Sequence, residues 1–378
     1  MNNYNLDTPR GLQATINRLI GMDGTEAGEE LALKCIQKAQ FFKDIDLEFE
    51  ARYAYIEQVR TLRKYHLALA MFPWLLKKCD EDRERFDYFH TLWTYKRIVS
   101  SATYFARIPL GKIEELFADF AQRYKDFGTG DKVIHYFKLR YLGEIGELAQ
   151  AAKEYELYWQ ASTTDEMDDC QACQPNKLID HLLRVGKYEE VLEMANPIIK
   201  GELSCHIVPG ITYPKLVLPC LFLNRKEDAE NFAVLARKKL KPSESSLTEF
   251  SYLITYYAIK GDFAKARHSV EKQFGFLGNA PELEKFNFYL STSLWFDSLE
   301  ATGKKTIKLN LPPNDILFLE AGIYSVEHTL AFFKQQLQSA ATALDQRNGN
   351  SYYTDLIKQK LAEARELKQL FASSNAPN

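Results

Sequence analysis

One short phrase recurs along this 378-residue chain with changing words. It is an aromatic-rich helical stretch, a glycine or polar break, then a charged helix carrying Ala and Leu at helical spacing. Clear copies read YLGEIGELAQAAKEY at 141–155, RVGKYEEVLEMA at 184–195 and IKGDFAKARHSV at 259–270. Looser copies read RKYHLALAMF at 63–72, PLGKIEELFADF at 109–120 and NRKEDAENFAVLA at 224–236. A helix–turn–helix unit of this size cannot bury its apolar face alone, so successive units must stack. The pattern therefore predicts an all-α fold, an α-solenoid of antiparallel helical hairpins, closed by a C-terminal helical capping segment.

Composition narrows the class of function. Hydrophobic residues make up 46% and aromatic residues 13%, which excludes a mainly disordered chain. With 48 Lys and Arg against 51 Asp and Glu, the net charge of −3 gives no global basic field, so no nucleic-acid partner is expected. The N-terminal MNNYNLDTPRGLQ has no basic stretch followed by an apolar one, and no apolar run approaches the roughly 20 residues that span a bilayer. The expectation is a cytoplasmic protein with no membrane partner. Six cysteines in so long a chain are no disulfide framework; they are expected as thiols or metal ligands.

Four segments are expected. Residues 1–28 form a lead-in with one helix around Leu12–Ile20. Residues 29–275 carry the repeats, beginning with helices at Glu29–Lys43 and Leu47–Leu62. Residues 276–372 form the cap, with helices at Glu282–Leu299, Ile316–Ala343 (breaking near Ser325) and Ser351–Phe371. Within the cap, TGKKTIKLNLPPND alternates Thr306, Ile307, Leu309 and Leu311 like a short edge strand, an irregular or β-like excursion. Residues 373–378 read as a disordered tail.

Placing the breaks at Arg63, Gly111, Gly143, Gly186, Asn224 and Gly261 gives steps of 48, 32, 43, 38 and 37 residues. These scatter around the ~34-residue tetratricopeptide unit, with extra residues in the loops. Gly followed two residues on by Ile113, Ile145, Tyr188 or Phe263 fits the same pattern. Over residues 30–275 the chain resembles the tetratricopeptide-repeat family and its degenerate relatives, although the family's first-helix Trp and closing Pro are largely missing. The resemblance implies an extended concave groove lined by the first helix of each hairpin. Counting back from the breaks, the groove-facing, partner-binding residues would include Tyr53, Glu57, Arg60, Phe137, Arg140, Asn176, Asp180 and Arg184. Arg60, Arg140 and Arg184 recur just before their turns, where an arginine suits bidentate capture of a carboxylate and equally suits the helix dipole.

The sharpest chemical constellation is Asp168, Asp169, Cys170, Cys173 and then Cys205–His206. C-x₂-C presents two thiolates to one metal. A hairpin running out to about Arg184 and back to about Lys200 would bring Cys205 and His206 beside that pair. The expected metal ligands are Cys170, Cys173, Cys205 and His206, with Asp168, Asp169 or a water as alternative fourth ligands, and the expected ion is a structural Zn2+. Inert thiols and a redox disulfide are the competing readings. The segment also resembles a bacterial subgroup of repeat proteins with an Asp-Cys-x-x-Cys stretch and a later Cys. Cys35, Cys79 and Cys220 sit among apolar residues and read as core.

No pair of the seven histidines has i,i+4 ligand spacing on a helix, and the chain has no nucleophile elbow, phosphate-binding loop or GxGxxG. No catalytic residue is assigned. The leading expectation is a non-enzymatic scaffold that binds a peptide or protein partner. A peptide-responsive bacterial regulator comes second, and a helical-repeat enzyme using the cysteine cluster third.

Overall fold

The computed structural model describes residues 4–161, 165–242, 246–313 and 316–373, so residues 374–378 of the expected tail lie outside the described residues. The fold is all-α, 73% helical, with seventeen α-helices and two short strands among the described residues. It divides into two compact units, one of residues 1–103 and 111–129, the other of residues 104–110 and 130–378.

The N-terminal unit holds α1 (Pro9–Ile20), α2 (Glu26–Phe42), α3 (Ile45–Thr61), α4 (Tyr65–Glu81), α5 (Tyr88–Ser101) and most of α6 (Leu110–Phe127). Local chemistry sets where these helices begin. The Thr8 hydroxyl accepts from Gly11 N with Pro9 in the first turn, Thr25 accepts from Gly28 N, and Asp44 accepts from the backbone of Asp46 and Leu47. Each cap satisfies amides that the helix itself leaves without a partner. α1 packs on α2 and α3, and α3, α4 and α5 follow as neighbours in chain order. Ile56 and Leu92 are fully buried, and Phe72 stacks on Tyr95 with ring centroids 5.2 Å apart.

The C-terminal unit begins with four hairpins. These are α7 (Asp131–Ile145) with α8 (Leu148–Gln160), α9 (Cys173–Arg184) with α10 (Tyr188–Ile199), α11 (Tyr213–Phe222) with α12 (Lys226–Lys239), and α13 (Leu247–Lys260) with α14 (Phe263–Phe274). α15 (Glu282–Ala301), α16 (Val326–Asn348) and α17 (Tyr352–Ser373) follow. α7 packs on α9, α11 on α13 and α13 on α15, so the first helices of the hairpins form an inner row. One continuous core runs from α9 to α17, with Leu216, Leu253, Trp295 and Phe333 all fully buried.

Four of the six expected breaks carry a left-handed residue: Arg63 (φ 61°), Gly186 (φ 72°), Asn224 (φ 56°) and Gly261 (φ 80°). Two breaks were misplaced. Gly111 lies in the first turn of α6, and Gly143 is buried inside α7, which runs on to Ile145 and ends at Gly146 (φ 89°). At Gly143 the demand comes from packing: a Cβ there would stand 3.1 Å from the Arg184 guanidinium. The β-like excursion is a two-stranded antiparallel ribbon, β1 (Thr306–Lys308) on β2 (Ile323–Ser325), with Ile307 opposite Tyr324. The expected helix from Ile316 therefore starts ten residues late. Leu309 N donates to Gly322 O (2.9 Å), and the Ser325 hydroxyl caps α16 by accepting from His328 N.

Candidate metal centre and the cationic row

Cys170 lies in the loop after α8, Cys173 is the first residue of α9, and Cys205 sits in the loop between α10 and α11. The α9–α10 hairpin returns the chain to its starting end, and the three Sγ atoms lie within 4.8 Å of one another. Cys173 Sγ stands 3.7 Å from Cys205 Sγ, and all three are free thiols. Tetrahedral Zn–S bonds near ~2.3 Å would space their sulfurs at about 3.8 Å, so this group can hold a metal ion.

The backbone around the cluster is organised for it. Cys173 N and Gln174 N both donate to Cys170 O, at 2.8 and 3.1 Å. Cys205 N donates to Val208 O, while Val208 N donates back to Cys205 Sγ (3.5 Å). Ala172, Ile198 and Val208 form a small buried cluster beneath, against which Cys173, Leu203 and Cys205 pack. Burial raises the Cys173 thiol, and the neighbouring Cys170 and Cys205 raise it further. Burial would also raise Cys205, but the amides of Val208 and Ile207 and the adjacent thiols outweigh it, so that thiol is lowered. In the other cysteines burial is the largest cause: it pushes Cys35 up to about 11 and Cys220 up to about 12, and it raises Cys79 against the Thr91 hydrogen bond.

His206 is exposed and is not a member of the cluster. Asp168 and Asp169 do not join the group either. Asp169 accepts from the Tyr136 hydroxyl (3.0 Å), and Asp168 accepts from Asp165 N (3.0 Å). Asp165 in turn accepts from Met167 N (2.7 Å) and Gly130 N (3.0 Å). These carboxylates hold the loop.

The metal loop and the inner helix row share α9. One turn beyond Cys173, Asn176 Oδ1 accepts from Thr212 (2.8 Å), and the Lys215 ammonium donates to Asn176 O (3.0 Å) and pairs with Asp180 (2.5 Å). Lys177 lies 3.8 Å from the same carboxylate. Burial alone would raise the Asp180 carboxyl, yet Lys215, Lys177 and Arg184 together drive it down to about 2. Arg140 rests on the rings of Tyr136 (5.6 Å) and Phe137 (5.2 Å), and Arg184 lies against Gly143 beside Tyr352 and Glu144. Among the described residues, neither guanidinium has a carboxylate within ion-pair distance.

The expected groove residues thus fall into different environments. Arg140, Asp180 and Arg184 come together in the C-terminal unit. Phe137 and Asn176 are buried at 2% and 0% exposure, so they support that face from beneath and offer no surface to a partner. In the N-terminal unit the Tyr53 hydroxyl is hydrogen-bonded to Thr94 (3.0 Å) and Arg60 pairs with Glu57 (2.5 Å). Sequence reasoning missed Lys177 and Lys215. The signal was present: a single lysine inside the apolar stretch YPKLVLPCLF has to find a buried partner.

No helix among the described residues is long and apolar enough to cross a membrane. The molecule belongs to the class of all-α proteins built from packed helical hairpins. No protein-family model and no curated protein matches the chain.

Proposed function

We propose that this chain is a non-enzymatic cytoplasmic scaffold of the tetratricopeptide kind, receiving an acidic peptide or protein segment on the inner helix row of its C-terminal unit. The observation that carries the reading is the state of Arg140 and Arg184. Both are partly buried on first helices of successive hairpins; among the described residues neither has a carboxylate within ion-pair distance, Glu144 acting on both only from further off; Arg140 rests on two rings and Arg184 lies against Gly143. A guanidinium with no direct ion-pair partner has its fork free for bidentate capture of an incoming carboxylate. Asp180 is committed to Lys215 and Lys177, so it opposes such a ligand less than a free carboxylate would.

Cys170, Cys173 and Cys205 would hold Zn2+ as a clip joining the start of α9 to the loop before α11. The Thr212–Asn176 and Lys215–Asp180 contacts then fix the same two segments further along. Removal of zinc would loosen the inner row from that end.

An array of acidic peptides, read by fluorescence anisotropy, tests the scaffold. Saturable binding should weaken about tenfold or more in the Arg140→Glu, Arg184→Glu double variant. Arg60→Glu should leave it unchanged. Equal binding by the double variant, at unchanged melting temperature, would overturn the assignment of the face.

A further inference from the structure

We propose that the trithiolate centre holds its metal with an exchangeable fourth position, and that this position takes a thiolate supplied from outside the chain. The inference rests on the reading that Cys170, Cys173 and Cys205 bind a metal, and goes beyond it in making the centre a ligand-binding site.

Three observations carry it. First, the acidic side chains nearest in sequence are engaged by the loop: Asp169 by Tyr136, Asp168 by the Asp165 amide, and Asp165 by Gly130 and Met167. Pulling any of them to the metal would cost the loop the contacts that place Cys170. Second, His206 is exposed and lies outside the three-sulfur group, while Cys205 is tied to Val208 through both its amide and its thiol. Third, the cluster is lopsided in burial. Cys173 and Cys205 pack on the apolar floor of Ala172, Ile198 and Val208, whereas Cys170 is exposed. The floor lies against Cys173 and Cys205 and leaves the Cys170 side open, so the remaining tetrahedral vertex would face solvent there.

A zinc site closed by four protein ligands is structural, and one with three keeps a place for an incoming group. Three thiolates already more than offset the charge of a divalent ion. The metal is then a poor activator of water, and the site discriminates by softness, which favours sulfur over oxygen donors. In the exchange a metal–water bond breaks and a metal–sulfur bond forms. The incoming thiol loses its proton to solvent, and water leaves. No electron is transferred.

Cobalt(II) in place of zinc makes the centre visible, because each thiolate adds to the sulfur-to-metal charge-transfer band. The full-length protein loaded with one equivalent of Co2+ should show a three-thiolate spectrum. N-acetylcysteine amide, or a hexapeptide with a single cysteine, should raise the band by about one third as a fourth thiolate binds. Equal response to both probes points to a small thiol as the natural ligand. Response to the peptide alone points to a cysteine of a partner. Cys170→Ser should reduce the starting band by about one third. A spectrum indifferent to both thiols overturns the open position while leaving the metal reading intact. A band that responds only after His206→Ala shows that His206 closes the vertex, and overturns it too. Failure to bind Co2+ at all sinks both readings.

Discussion

Arg60 in the N-terminal unit and Arg140 and Arg184 in the C-terminal unit occupy equivalent places in the sequence pattern, yet their surroundings differ. Arg60 is satisfied by Glu57 one turn away on its own helix, with side chains 23% and 19% exposed. Arg140 and Arg184 are positioned by aromatic rings and a glycine, and the nearby acid, Asp180, is taken by a lysine from the next hairpin. An i,i+3 ion pair can form whatever the fold does. A lysine buried to 2% side-chain exposure needs a particular tertiary neighbour. The same residue type at the same repeat position is thus a local helix contact in one unit and part of a long-range network in the other.

Disrupting that network should produce the largest effect. Asp180→Ala leaves Lys215 charged and buried without its partner, and should cost about 3 kcal/mol or more in chemical denaturation. Lys215→Met in the same background should recover part of that loss. If Asp180→Ala proves as mild as a surface substitution, the contrast between the two units fails.

The next effect is in pH. His181 is buried at 5% exposure and stacked on Tyr155 (4.9 Å), and burial, with Arg184 and Lys187 nearby, lowers it from 6.5 to about 4. The unfolded chain takes up a proton below about 6.5, and the folded chain only below about 4. The His181 contribution is therefore complete above pH 6.5 and declines as pH falls through that window, by up to about 3 kcal/mol. His181→Phe keeps the stack and should flatten denaturation midpoints between pH 4 and 6.5. The Asp180 contribution is lost at lower pH, as its carboxyl protonates between the ordinary aspartate range and about 2, so the two are separable.

The smallest effect belongs to the N-terminal unit. Arg60→Ala should change stability by less than about 1 kcal/mol, as for other part-exposed helix pairs, and should not alter peptide binding. A loss of binding equal to that of Arg140→Ala would restore the equivalence of the three arginines.

Much of the fold was legible because its causes are local. Apolar spacing and the left-handed turns at Gly186 and Gly261 are written within a few residues of where they act; the Thr8, Thr25 and Asp44 caps are equally local but went unread, so the first three helices begin two to three residues before their expected starts. Gly143 shows the limit. A glycine in a helical pattern was read as a turn, but it lies inside α7 with an arginine from another hairpin close against it, and the real turn lies three residues on at Gly146. The metal centre was legible to the extent that the hairpin length returns Cys205 to Cys170 and Cys173. His206 is exposed and stands outside that group.

By itself the sequence determined a chain of paired helices, their turns, and the meeting of three thiols at one end of a hairpin, since helical period and hairpin length follow from bonded geometry. The tertiary structure alone decided which charges are paired and which are left available, because a buried ammonium or guanidinium is governed by neighbours that arrive from distant segments.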